Sequence, residues 1–239
     1  MFNDHWMTEL HFSHSDEIWQ TFPRLNAIAL VVEGVRAMPP LSSRIESLQG
    51  MIEARMSEAA ESEMPEIVTW REVFTKMGLK ATQYRCASEA LLRRYRKERT
   101  VPSFHPLVDY LNFVSMSRAI PIAAFDTERV VDGITVVHAD GSEAYLSFQG
   151  ETEAPSSGEV IFRDGEGHAH SRRWTFRQSA RSVVSATTDR VLIVAEALHQ
   201  TADTDLDGLG QEIAAGAADA GLKLVASQRL RANDRTMNF

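Results

Sequence analysis

One cysteine is all the chain has. Cys86 therefore cannot close an internal disulfide, and a lone thiol suits a reducing compartment, so the cytoplasm is the expected location. It also makes a poor nucleophile, standing just before a short helix among Arg85, Ala87 and Ser88 with no motif that ties it to a histidine. Long apolar runs are missing as well. No segment approaches the roughly 18 apolar residues of a membrane span. Near the N-terminus Asp4, His5, Glu9 and His11 interrupt Phe2, Trp6 and Leu10, unlike the apolar centre of a signal peptide. No membrane partner is expected. Positive charge is scarce: 25 lysines and arginines against 33 acidic residues leave a net charge of -8, which argues against a protein that coats DNA or RNA. Gly-x-Ser-x-Gly, a Walker loop, a dinucleotide fingerprint, His-Glu-x-x-His and paired Cys-x-x-Cys are all absent. No cofactor is expected.

What is present is ordinary globular material, 44% hydrophobic and 24% charged, with no internal repeat and no linker. The whole chain, 1–239, is expected to form one domain. Residues 25–32 are almost continuously apolar and rich in β-branched side chains, which predicts a central strand covered on both faces. Ser43 and Glu46 read as a capping box before an amphipathic helix with Ile45, Leu48, Ile52, Met56 and Ala59. A second helix follows Pro65 and stops at Gly78, and a third, shorter one covers 88–96. A fourth, largely buried, begins at Pro106 and runs to about Arg118. Short β-type runs then follow at 120–125, 134–138, 144–148, 160–163 and 169–176, which read as an antiparallel sheet. Asp164, Gly165 and Gly167 mark a tight hairpin, and 151–158 a polar loop. Residues 191–198 form a further strand, Thr204 caps a last helix, and 222–227 close as a strand. Helices and strands segregate along the chain, so the fold class is α+β, a mixed or antiparallel sheet packed against several helices.

Three groups of residues offer chemistry. His105, Asp109, Asn112 and Met116 share one stripe of the apolar fourth helix, where a polar group needs a partner or a cavity. His105 and Asp109 lie one turn apart, but no spacing announces a third ligand, so no metal site is expected. In 172–178 cationic and aromatic residues alternate, which on a strand puts Arg173, Thr175 and Arg177 on one face and Trp174, Phe176 and Gln178 on the other. Arg177 and Gln178 would then end the strand at a pocket mouth, facing a carboxylate, phosphate or ribose. Finally, Arg85, Arg93, Arg94, Arg96, Lys97 and Arg99 make 84–100 locally basic in an acidic chain, either a solvated helix end or a nucleic-acid contact.

The order Trp70, Gly78-Leu79-Lys80, Arg85, Ser88, Leu91-Leu92-Arg93-Arg94, Pro102, Val108-Asp109, Asn112, Val114-Ser115, Pro121, Phe125-Asp126 and Gly133 resembles the B3/B4 domain. This is the editing domain of the phenylalanyl-tRNA synthetase β subunit, here resembling its free-standing form. Residues 107–114 look like the family's Val-Val-Asp-x-Thr-Asn-Tyr-Val, and Ala124-Phe125-Asp126 like its Ala-Phe-Asp. The likeness is strongest over 70–198. It implies an aminoacyl-sized pocket beside the fourth helix, with Asn112, Asp126, Trp174, Arg177 and Gln178 as substrate-binding residues and Arg93, Arg94 and Lys97 as tRNA-binding ones. The partner it implies is an aminoacyl-tRNA or a small amino-acid-like ligand. Its activity would be hydrolysis of mischarged aminoacyl-tRNA in trans. Leu111 stands where the family has threonine, Ala123 where it has histidine, and the 174–181 region where it has Gly-Gly-x-Glu. These departures keep a second expectation open: a non-catalytic module that binds tRNA, a nucleotide or an amino acid.

Overall fold

The fold grows around the apolar run at 25–32. In the computed structural model, which describes residues 9–239, this run becomes strand β2 (Asn26–Glu33). The N-terminal segment carrying Phe2, Asp4, His5 and Trp6 lies outside the described residues. In chain order the strands are β1 (His11–His14), β2, β3 (Ile122–Asp126), β4 (Ile134–His138), β5 (Tyr145–Leu146), β6 (Thr152–Glu153), β7 (Val160–Arg163), β8 (Ala169–Arg172), β9 (Arg177–Gln178), β10 (Arg190–Ala197), β11 (Lys223–Leu230) and β12 (Thr236–Asn238). The helices are α1 (Asp16–Thr21), α2 (Ser42–Glu58), α3 (Pro65–Lys76), α4 (Ala87–Glu98), α5 (Pro106–Arg118) and α6 (Ala202–Asp219).

Strand β2 pairs antiparallel with β10 and β11, and β3 joins the far side of β10, giving the order β11-β2-β10-β3. From Ala27 to Val32 every side chain is buried, because α6 covers the sheet on one side and the second sheet and its loops fill the other. This explains an unbroken apolar strand in an antiparallel sheet, where alternation is the commoner pattern. The second sheet has six strands in the order β12-β1-β4-β7-β8-β9, antiparallel except for the parallel β1–β4 pair. The strands read as one antiparallel sheet thus divide: β3 joins the other sheet, where its Ala124 and Phe125 pair beside Ile193 and Leu192 of β10. Within the loop expected at 151–158, β6 pairs briefly with β5.

Local chemistry explains the helix ends. Pro106 occupies the first turn of α5, His105 Nδ1 accepts the Leu107 N–H at 3.2 Å, and Asp109 accepts from Ser103 Oγ at 2.5 Å and from the Phe104 N–H at 2.8 Å. Two of the polar residues on that stripe are therefore occupied as caps. The capping box at Ser43 and Glu46 does not form: α2 starts at Ser42, with Leu41 before it and no side-chain cap. The last helix begins at Ala202, so Thr204 lies inside it, and Asp203 and Asp205 place their charge in its first turn.

The largest departure is at 173–176. These residues do not continue β8. Arg173 and Trp174 take left-handed φ values of 49° and 59°, and β9 folds back antiparallel on β8 with Ser171 opposite Gln178. The alternation of faces read across 172–178 therefore does not exist. Glu159 holds the reversal: its Oε1 accepts the Arg173 N–H at 3.0 Å and Arg172 Nε at 2.9 Å, and its Oε2 accepts Arg172 Nη2 at 2.9 Å. The Trp174 N–H donates to Val160 O at 2.7 Å, which drives the indole inward. This network offsets the cost of roughly 1–2 kcal/mol for each left-handed L-residue.

Candidate functional site

The turn at 173–176 meets α4, α5 and β3 around a cleft of about 570 Å³. Its walls are apolar: Leu91 of α4, Val108 and Leu111 of α5, Ile122 of β3, and Phe176 of the turn. The half-buried Asn112 lies in this wall. No hydrogen bond reaches its side-chain amide among the described residues, in contrast to the capping His105 and Asp109. Gln178 is the other amide in the wall, and its Nε2 donates to Ala124 O at 2.8 Å.

A second, smaller cavity of about 70 Å³ adjoins the first, sharing Ala87, Ile122, Phe176 and Gln178 with it. Trp174 and Arg177 line this inner space. The indole of Trp174 is 1% exposed and packs edge-on against Trp70 at 5.1 Å and Phe22 at 4.8 Å. Arg177 stays half-buried, with Nη1 3.6 Å from Glu153, Nη2 3.4 Å from Gln149 Oε1 and its guanidinium over the Tyr145 ring. Asp126, named with these residues from sequence, lines neither cavity. One of its oxygens accepts the Glu128 N–H at 3.0 Å and the other accepts from Thr188 Oγ1 at 2.7 Å, so it braces the turn after β3.

The basic stretch lies along α4. Arg93 and Arg96 reach Glu61 at 3.6 and 2.7 Å, Arg85 reaches Glu89 at 3.4 Å, and Arg94 pairs with Glu98 at 2.9 Å. Glu61, which folding brings to α4 from the segment before α3, thus takes up two of the arginines that sequence counting assigned there. Lys97 is exposed and has no ion pair among the described residues, and Arg94 stands in the cleft wall. Cys86, at the N-terminal end of α4, is fully buried, and that burial pushes its thiol up to about 11, with a Ser88 hydroxyl contact at 3.3 Å pulling the other way. It is an inert thiol.

One group of possible metal ligands comes together, Glu66, His199 and Asp205, with ligand atoms within 4.8 Å of one another. Their hydrogen bonds are already spent: Arg55 Nη2 donates to both oxygens of Glu66, and His199 Nε2 donates to Asp205 Oδ2 at 2.8 Å. These are two separate contacts: Arg55 ties α2 to α3 through Glu66, and His199 is held to the first turn of α6 through Asp205.

Several site residues escaped the sequence. Phe104 and Phe148 are 75% and 62% exposed at the rim of the cleft. Phe104 had a signal, being a lone aromatic between Pro102 and Pro106 with no helical or strand period to bury it. Glu196 lines the inner cavity while only 2% exposed. Its signal was a single charge inside the apolar run 191–198.

The family described as the B3/4 domain matches this chain over residues 69–224. No curated protein matches it. Among solved structures, an N-terminal fragment of the phenylalanyl-tRNA synthetase beta-subunit from Pyrococcus horikoshii aligns with a TM-score of 0.50 at 10% identity. The alignment covers 89% of this chain and 49% of that fragment, so the chain spans about half the fragment's length. At that identity the likeness is one of fold. Among the described residues no helix is long and apolar enough to cross a membrane.

Proposed function

Since the chain belongs to the B3/4 domain family and shares its fold with a fragment of the phenylalanyl-tRNA synthetase beta-subunit, we propose that its cleft receives the aminoacyl end of a tRNA and promotes hydrolysis of mischarged esters in trans. The observation that carries this reading is the amide of Asn112, free of partners among the described residues, in a largely apolar cleft of about 570 Å³, a size and lining suited to a small organic group. An aminoacyl ester is already reactive. A pocket that orients it beside a water and hydrogen-bonds the developing negative charge needs no strong nucleophile, which accords with the inert Cys86. Asn112 would position the ester or the water, with the amide of Gln178 beside it. Phe104 and Phe148 at the rim offer faces on which a terminal base can stack. Arg94 in the wall and Arg93 and Lys97 beyond it would meet the phosphates of the acceptor end. Because β1 and β12, near the two ends of the chain, join the same sheet, the chain is proposed to act as one domain, in the cytoplasm where charged tRNA is used.

A non-catalytic binding module is the second reading. It is favoured by Leu111 in the outer wall and Ala123 in the inner one, which present no polar atom where hydrolysis would use one. Deacylation of a panel of mischarged tRNAs by the pure protein separates the two. Turnover with any member supports the hydrolase, and tight binding without turnover supports the module. Neither binding nor turnover across the panel rules out the tRNA end as the occupant of the cleft.

A further inference from the structure

The inner cavity holds one charge that nothing in the protein fully answers. Glu196 comes from β10, and both of its observed hydrogen bonds fall on one oxygen: His14 Nε2 lies 2.6 Å from Oε1, and Trp174 Nε1 donates to the same Oε1 at 2.9 Å. Among the described residues no hydrogen bond reaches Oε2. Glu196 is 2% exposed yet lines the cavity, so that this oxygen faces a space of about 70 Å³ rather than bulk water. The hydroxyl of Thr175, which lines the same cavity, is also buried without a partner. Two residues that line one small space thus carry oxygens with unused accepting capacity.

The partners behind Glu196 both act on the same oxygen, Oε1. His14 Nδ1 is buried with no partner, an arrangement that fits the tautomer with its proton on Nε2, where the ring donates to Oε1 and leaves only a lone pair unmet. An indole and an imidazole thus orient the carboxylate through Oε1 and leave Oε2 without a donor among the described residues. Arg177, also in the cavity wall, turns its guanidinium towards Glu153, Gln149 and the Tyr145 ring. A buried carboxylate oxygen that is oriented but unpaired favours a compact cation with hydrogen-bond donors. His14 lies on β1, outside the residues matched by the family, so this corner of the site is built by a part of the chain that the family resemblance does not reach.

We propose that Glu196 is an ammonium-binding carboxylate: the ligand places a primary ammonium group against Oε2 in the inner cavity while its apolar part occupies the outer cleft. This rests on the cleft being an aminoacyl pocket, and it adds the charge that the ligand must carry. The ammonium can be the α-amino group of an aminoacyl unit or an amine at the end of its side chain.

Three carboxamide probes, none with a carboxylate, distinguish the cases: L-phenylalaninamide, with only an α-ammonium, Nα-acetyl-L-lysinamide, with only a side-chain ammonium, and N-acetyl-L-phenylalaninamide, with none. Binding is measured calorimetrically with the full chain and with Glu196→Gln, which keeps an oxygen for His14 and Trp174 but removes the charge. One of the two ammonium probes is expected to bind more tightly than N-acetyl-L-phenylalaninamide. Glu196→Gln should cost that probe about tenfold to a hundredfold in affinity and leave the acetylated phenylalanine compound unchanged. Should Glu196→Gln fail to fold, Thr175→Val decides. A severalfold loss confined to the ammonium probe supports the site, and an unchanged affinity overturns it. If the acetylated phenylalanine compound binds as well as either ammonium probe, the ammonium site is wrong while the aminoacyl pocket stands. If none of the three binds in the millimolar range, the pocket reading fails as well, and the ammonium site with it.

Discussion

The buried indole N–H of Trp174 and the carboxylate of Glu196 meet at 2.9 Å, joining the turn after β8 to the C-terminal end of β10. Trp174 holds a left-handed backbone conformation to make that contact. Trp174→Phe retains the aromatic packing on Trp70 and Phe22 but removes the indole donor to Glu196. It is expected to destabilise the fold by about 1–3 kcal/mol, the cost of leaving a buried acceptor short of a partner. Urea denaturation checks this, and a change below a few tenths would mean that the His14 contact alone suffices.

Asn112 offers the opposite contrast. Its amide bonds to nothing among the described residues and faces the cleft, so Asn112→Ala should leave the melting temperature nearly unchanged, within about 0.5 kcal/mol. Affinity for an aminoacyl-tRNA or its analogue should fall about tenfold. A variant that loses stability while retaining affinity would make Asn112 a packing residue.

On α4, Lys97 has no ion pair among the described residues and Arg94 only the exposed Glu98, a surface contact worth little. Reversing both to glutamate is expected to weaken tRNA binding and to reduce its salt dependence, because fewer phosphates are neutralised. Filter binding across a salt series measures both. Equal affinity at low salt would remove α4 from the interface. Arg93 and Arg96 are less suitable for this test, since both hold Glu61.

Gly216 of α6 lies under the ring of Tyr110 on α5, where an added Cβ would come within 2.4 Å of the ring. The Tyr110 hydroxyl completes the contact by donating towards Glu212 O at 2.7 Å. Gly216→Ala should therefore cost about 1–3 kcal/mol by forcing the helices apart. Because α5 carries Asn112, ligand affinity should fall with it. A melting temperature equal to the native one would show that α5 shifts freely.

Acid should loosen the hairpin between β7 and β8. Burial pushes the His170 imidazole below its ordinary value of 6.5, against the opposing pull of Asp164. Burial alone would raise the Asp164 carboxyl, but hydrogen bonds from His170 and from the His168 backbone outweigh it and hold the group well below the usual carboxylate range. Both groups bind protons more readily in the unfolded chain. Their stabilisation is therefore complete above pH 6.5, declines first as His170 is protonated on unfolding, and declines further below about 3.8 through Asp164. His105, also lowered by burial, acts in the same direction. Denaturation midpoints from pH 7 to 3 should show this fall, and His170→Asn should flatten its upper part. An unaltered profile would assign the loss elsewhere.

Local sequence determined the elements whose causes are themselves local. The apolar run of β2, Pro106 at the start of α5, the Asp164 hairpin and the helix stop at Gly78 depend on neighbours within a few residues, and the order of motifs from Trp70 onwards was enough to point to the B3/B4 family. Tertiary structure decided what depends on residues far apart in the chain. Nothing between Arg172 and Gln178 announces a reversal; Glu159 and the Val160 carbonyl impose it, and with it Trp174 and Arg177 leave the opposite strand faces on which alternation had placed them. Glu61 likewise takes up two of the arginines on α4 from more than thirty residues away, and Thr188 turns Asp126 from the pocket to a turn. The polarity of the inner cavity is the clearest case. It depends on which oxygen of Glu196 receives His14 and Trp174, and those three residues, 182 and 22 positions apart from Glu196 along the chain, share no pattern until β1, β10 and the turn at 173–176 are packed together.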